Sequence, residues 1–385
     1  MGFTGFPYDA TQQAVDDTTE FINSHGDLVT VHNDHGVPWP EALEGFDFSQ
    51  ALLDDIAGSV ARIGPGKKIY VSATAQSTNR SDGLAPYWGN TDNMDLPPEW
   101  ASKTIDDPDV IAAYLNWCRF LITQFNPDYF AYGIEANGGF SSPTDPRFIR
   151  FENFLDSVYP ILKSDYPDLP IFLSVQTSNT ESSGQPFFDM TAELLNYSDW
   201  VGISSYPYFR WDINNPIGII TTGNPNDIPI DHLSAIRDLA PNKPVAITET
   251  GYPAQDLIIP MLAVNQPGTQ RWQASYVDKL FRELQSFEAE FVVWFVPRDH
   301  DMLNNTIFPS GTDDPIYFIW RDTGLLDENG AIRQGLVQWD HWLGVPVAKK
   351  NQLSIRELLQ SPHAYELLKE RMTSEPTEPC PKSIP

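Results

Sequence analysis

The sequence predicts a closed (β/α)8 barrel, and three observations carry that reading. Short apolar runs rich in Val, Ile, Phe and Tyr alternate along the chain with longer amphipathic stretches. Eight such pairs are present. Prolines gather just after the apolar runs, in "GVPWPEA", "SYPYF", "ETGYP" and "FVPRD". Strands that each lead into a helix form a parallel sheet covered on its outer face, and eight repeats close it. Prolines stiffen the loops that leave the carboxyl ends of strands, where a barrel of this kind builds its site. An open doubly wound sheet is the alternative. No glycine-rich phosphate loop follows an early strand, so the nucleotide-binding form of that sheet has no support.

Seven of the units read directly from the pattern. "DLVTVH" is a strand, followed by a helix around "SQALLDDIAGSVARI"; "KKIYVSATAQS" precedes the helix "DPDVIAAYLNWCRFLITQF". "YFAYGIEANGG" precedes "RFIRFENFLDSVYPILKSDY", and "PIFLSVQTS" a shorter helix near "FFDMTAELLNY". "DWVGISSYPYF" pairs with "IDHLSAIRDLA", and "KPVAITETGYP" with "TQRWQASYVDKLFRELQSF". "EFVVWFVPRDH" leads through a long irregular insertion to a helix near "AIRQGLVQWDHWL". The remaining unit comes first in the chain. Phe3 to Phe6 reads as the end of a clipped strand, and "ATQQAVDDTTEFINSH" as its helix. The expected organisation is one TIM-type barrel over residues 1–347, then an appended helix and fraying tail over 348–385.

Composition narrows the function classes. With 41% hydrophobic and 20% charged residues in a 385-residue chain, a large core is expected. Net charge is −28, from 52 acidic against 24 basic residues, which repels nucleic acid and anionic membranes and is indifferent to a neutral substrate. No run approaches the length of a membrane helix. Two cysteines, Cys118 in a helical pattern and Cys380 in the proline-rich tail, form neither a disulfide framework nor a metal-ligand spacing. The N-terminus lacks the basic and apolar regions of a signal peptide. A processed or truncated chain would hide a secreted or periplasmic location.

The chemistry is expected at two strand ends of the same design. In "YFAYGIEANGG" a buried apolar run ends in Glu135 and stops at Gly138-Gly139; in "PVAITETGYP" another ends in Glu249. These close the fourth and seventh strands, whose ends face one another across a closed barrel. Two carboxylates held there by rigid strands suit glycoside hydrolysis, in which one protonates the leaving oxygen and the other attacks or stabilises the oxocarbenium-like centre. The tryptophans Trp39, Trp88, Trp100, Trp211 and Trp320 fall in expected loops and offer stacking platforms for sugar rings.

With both glutamates placed, a resemblance follows. The chain resembles the retaining glycoside hydrolases of clan A, and its local motifs are similar to the arabinogalactan endo-β-1,4-galactanase family. "ISSYPYF" resembles that family's sixth strand and "TETGYP" its seventh; "VVWF" and "DTGLLDENG" are clan-like. The resemblance implies Glu249 as nucleophile and Glu135 as acid/base, with no metal or cofactor and an oligosaccharide or polysaccharide as substrate. It implies Tyr206 as the tyrosine that keeps the nucleophile ionised, and Trp294 as the aromatic floor under the sugar. The sequence departs from the clan at Ile134, where an asparagine that binds the sugar 2-hydroxyl normally precedes the acid/base. Asn137, the nearest amide, is expected to supply that contact. His32 and Gln176, each ending a strand, are further candidate hydroxyl contacts, and Trp39 a candidate platform. The retaining reaction places the two carboxyls roughly 5 Å apart. Two alternatives stand beside this reading. One is a non-catalytic carbohydrate-binding barrel. The other is a metal-dependent barrel hydrolase, for which "VHNDHGVPW" supplies His32, Asp34 and His35 but no evident fourth ligand.

Overall fold

The computed structural model describes residues 1–344 except 46, 178–183, 212–218, 230 and 308–314. The expected tail at 348–385, and with it the boundary at 347, lies outside the described residues.

Eight parallel strands close into a barrel in chain order: β1 Gly2–Phe3, β2 Leu28–Asn33, β3 Lys68–Ala73, β4 Tyr129–Gly133, β5 Ile171–Gln176, β6 Val201–Ser205, β7 Val245–Thr250 and β8 Val292–Trp294. The first strand is only two residues long, yet it closes the ring, pairing with β8 on one side and β2 on the other. The helices are α1 Gln12–His25, α2 Trp39–Glu44, α3 Gln50–Ala61, α4 Pro108–Phe125, α5 Pro146–Asp165, α6 Gly184–Leu194, α7 Ser234–Arg237, α8 Gln270–Phe287, α9 Asp301–Ile307 and α10 Gln334–Gly344. Their starts are written in local chemistry. Asp107 and Asp145 cap α4 and α5, each followed by a proline whose missing N–H costs nothing in the first turn. Two elements depart from expectation. The helix after β6 is a single turn, and α2 is an extra element in the loop after β2. Among the described residues, no helix is long and apolar enough to cross a membrane.

Inside the barrel, the two-residue period of the strands sends Leu28, Tyr70, Ala131, Phe172, Ala246 and Val293 to the interior, with Phe291 just below β8. The lower end is closed by rings. Tyr70 stacks on Phe172 at 5.9 Å, Phe172 on Trp200 at 5.8 Å, and Phe291 lies 4.9 Å from both Tyr70 and Tyr129. Above this floor the interior turns polar, with Ser72, Ser174, Ser204 and Thr248. The Thr248 hydroxyl donates to Ser174 Oγ at 3.1 Å. Outside, the side chains between sheet and helices form two larger apolar clusters, one over β2 to β5 and one over β6 to β8 and β1.

Phe172→Ala should therefore cost about 3–5 kcal/mol in a chemical-denaturation measurement, because the neighbouring rings cannot collapse into the space. KM should not change, since the floor lies below the polar layer.

Candidate active site

The site lies at the carboxyl ends of the strands and is built from one level of the ladder. Gln176 on β5 is in register with Ser204 on β6, and Ser204 with Glu249 on β7. Glu249 reaches this row through an irregularity. The β6–β7 pairing runs from Ile203 opposite Ile247 to Ser204 opposite Glu249, so β7 carries one extra residue, and the β7–β8 register slips at the same place. Strict alternation from Ala246 and Thr248 would turn Glu249 outward; the bulge turns it in. A second slip on β4, between Ala131 and Gly133, precedes Glu135. Glu135 itself takes a left-handed backbone, with φ of 50°.

The two glutamates are brought together. Ser204 donates to Glu135 Oε1 at 2.7 Å, and its Oγ lies 3.4 Å from Glu249 Oε2. The two carboxyl oxygens are thus no further apart than the sum of those distances. The other Glu135 oxygen accepts from Gln176 Nε2 at 3.0 Å and lies 3.7 Å from Arg80 Nε. Arg80 is held in turn by a two-pronged pair with Asp34, at 2.8 and 2.7 Å. Burial pushes Asp34 up, but the charge and hydrogen bonds of Arg80 outweigh it and hold the carboxyl below its usual range. Burial and the adjacent Glu135 push Glu249 up to about 8, against the opposing pull of the Tyr206 hydroxyl and the Arg80 charge. The pair therefore holds a proton at neutral pH.

Of the expected contacts, Gln176, Tyr206 and His32 are at the mouth. Tyr206 is nearly buried, its ring edge-on to Trp320 at 5.8 Å and to Phe295 at 6.2 Å. His32 bonds Ser72 Oγ through Nδ1 at 3.2 Å, and burial pushes it down to about 4 against the pull of Asp34, which leaves the ring neutral. With Asp34 committed to Arg80, the "HNDH" stretch offers no free ligand set. A cavity of about 310 Å3, lined in part by Phe6, His32, His35 and Trp88, opens beside the mouth without including either glutamate.

Three expected contacts are placed elsewhere. Trp294 is fully buried on the outer face of β8, against Tyr276 and Trp339, with Nε1 donating to the Thr323 carbonyl at 2.9 Å. Alternation makes the next residue, Phe295, the aromatic that faces the mouth, among Phe6, Tyr206, His300 and Trp320. Trp39 is fully buried, stacked on Trp100 at 5.6 Å with Nε1 donating to Ala85 O. Trp88 and Trp100 are buried anchors too, whereas the Trp211 side chain lies outside the described residues. Asn137 is 1% exposed and faces protein on all sides. Its Oδ1 accepts from Gln176 N at 2.8 Å, and its Nδ2 donates to Gln176 O and Thr191 Oγ1 at 3.2 and 3.0 Å. No atom of its amide is left for a sugar. Ile134 is buried as well.

The reading from sequence missed Ser204, Phe295 and Arg80. Strand alternation signals the first two: Ser204 shares parity with the interior Gly202, and Phe295 with Val293. Arg80 sits in an irregular loop and has no such signal. Gly138 and Gly139 explain how it gets there. A Cβ on Gly139 would lie 2.4 Å from the Arg80 carbonyl oxygen, and one on Gly138 would lie 2.8 Å from Gln176 Nε2. The glycines let the β4 loop close onto the two groups that hold Glu135; the left-handed turn is made by Glu135 itself.

Two expectations follow. Asn137→Gly should lose about 2–4 kcal/mol of stability and displace Gln176, since it leaves a buried backbone N–H without its partner. Gly139→Ala should cost about 1–3 kcal/mol by overpacking against backbone, with a larger loss in kcat than in Tm, because Arg80 moves away from Glu135. Denaturation curves and steady-state kinetics check both.

No known family profile matches the chain, and no curated protein matches it in sequence. Its likeness is to solved structures. One is a GH5_18 protein from Bifidobacterium longum subsp. longum ATCC 55813, in complex with Manb1-4GlcNAc. It has a TM-score of 0.57 and 16% identity, over 91% of this chain and 78% of that one. Another is a GH5_18 protein from Streptomyces cattleya in complex with GlcNAc, with a TM-score of 0.59 and 15% identity, over 97% and 90%. A third is the exo-beta-1,4-mannosidase Op5Man5 from Opitutaceae bacterium strain TAV5, with a TM-score of 0.59 and 13% identity, over 91% of this chain and 60% of that one. At such identities the likeness establishes the fold alone, a closed eight-stranded (β/α)8 barrel. None of the three is named a galactanase.

Proposed function

We propose that this protein is a retaining glycoside hydrolase acting on β-linked oligosaccharides or polysaccharides. The observation that carries the reading is the pair of carboxyls at the ends of β4 and β7, tied to one serine hydroxyl at 2.7 and 3.4 Å. Carboxyls that share one hydroxyl support double displacement over inversion, which needs them far enough apart to admit a water. In the first step Glu135 protonates the glycosidic oxygen while Glu249 attacks the anomeric carbon and the aglycone departs. In the second, Glu135 takes a proton from water, which displaces Glu249 with the original stereochemistry restored. Gln176, Arg80 and Ser204 fix Glu135, Tyr206 attends Glu249, and Phe295 offers the apolar face of a sugar subsite. His32 is the hydroxyl contact at the far side. Two of the similar structures hold Manb1-4GlcNAc and GlcNAc, and the third is named a mannosidase. β-Mannosides are therefore the first members of a panel that also takes in β-glucosides and β-galactosides.

The deciding experiment is hydrolysis of that panel as aryl glycosides and oligosaccharides, with the product anomer followed by NMR. Retention is expected; an inverted first product would overturn the mechanism. Glu249→Gln should abolish turnover of every substrate. Glu135→Ala should keep activity on 2,4-dinitrophenyl glycosides, whose leaving group needs little protonation, and lose about 10²–10⁴-fold on phenyl glycosides.

The pH dependence has a definite sign. The acid step needs the proton that the pair holds up to about pH 8. For phenyl glycosides kcat/KM should fall as pH rises through about 8, where that proton is lost. For 2,4-dinitrophenyl glycosides it should persist above that point.

A further inference from the structure

Ser204 and Gln176 both give hydrogen bonds to Glu135 and Arg80 lies beside it, while burial and the adjacent Glu135 push Glu249 up to about 8, so that Glu249 is protonated at neutral pH. Catalysis as read above needs the reverse, a protonated Glu135 and an ionised Glu249. One proton must cross from β7 to β4 as substrate enters. Ser204 is 2% exposed, stands in register with Glu249, and has its Oγ within reach of both carboxyls.

We propose that the Ser204 hydroxyl hands this proton across and is thereby a positioning residue for the acid step. The inference rests on the glycosidase reading. The Glu249 O–H proton passes to Ser204 Oγ while the Ser204 hydroxyl proton passes to Glu135 Oε1. One O–H bond breaks on Glu249 and one forms on Glu135. The serine exchanges one proton for another, so it carries no charge before or after. The Tyr206 hydroxyl pulls Glu249 toward its ionised form, which fits this direction of transfer. Such an exchange needs no water in the filled cleft.

The test compares Ser204→Thr with Ser204→Val, two side chains of the same bulk of which only threonine keeps the hydroxyl. Both, with the wild type, are assayed on phenyl and 2,4-dinitrophenyl β-mannoside, or on the panel sugar the wild type hydrolyses fastest, and their Tm values are measured. At pH 7 the valine variant should lose about 10²-fold in kcat/KM on both substrates, because a Glu249 that keeps its proton can attack neither. The threonine variant should stay within about 5-fold of wild type on both, at the same Tm as the valine variant. Equal losses for valine and threonine, or a valine variant within about 5-fold of wild type on both substrates, would overturn the proton path. A wild type that hydrolyses no member of the panel would overturn the glycosidase reading instead.

Discussion

A strand can send only every second side chain into a barrel, and the mouth of this protein depends on one strand breaking that rule. With the extra residue in β7, Thr248 and Glu249 lie consecutively on the interior side, the first bonded to Ser174 and the second level with Ser204. Without it the glutamate would point at the helices and its place would pass to an uncharged neighbour. The slip is shared with β8, so it is a property of the closed sheet and not of one pairing. Closure fixes where each strand sits, and the bulge decides which residue each level presents.

Around that row the polar groups form a chain of supports. Asp34 holds Arg80, and Arg80 and Gln176 flank one oxygen of Glu135. Asn137 grips both backbone groups of Gln176. Each member is supplied by a different loop or strand, and the loops meet closely enough that only glycine fits where the β4 loop crosses Arg80. Rigidity of this kind is what a pair of carboxyls needs if their roles are to stay distinct.

Much of this was legible before any coordinates. The alternation of apolar runs and amphipathic stretches identified all eight strands, including the two-residue β1, because each buried run is bounded by turn residues. Glu135 and Glu249 were expected at the mouth because each ends a buried run and the fourth and seventh strand ends face one another; the structure brings the two side chains to one serine. The errors have separate causes. Trp294 was assigned to the mouth although its parity places it outside, since the identity of an aromatic residue is easier to read than its facing; Phe295 was one residue away. Trp39 illustrates a second limit, for a loop tryptophan flanked by prolines looks exposed until α2 is known to bury it against Trp100. Asn137 shows a third. An asparagine before two glycines reads as a turn or a ligand contact, and its grip on Gln176 joins segments 39 residues apart, a distance no local pattern spans. Bulges leave little trace in sequence, so the feature that turns Glu249 inward could not be read from it.

The ring-lined floor has a bearing on traffic. Tyr70, Phe172, Trp200 and Phe291 close the lower end of the barrel, which makes the space above it a blind-ended vessel. Whatever enters at the rim leaves by the same door. In the double displacement proposed above, the departing aglycone and the water that follows it would both pass through that rim.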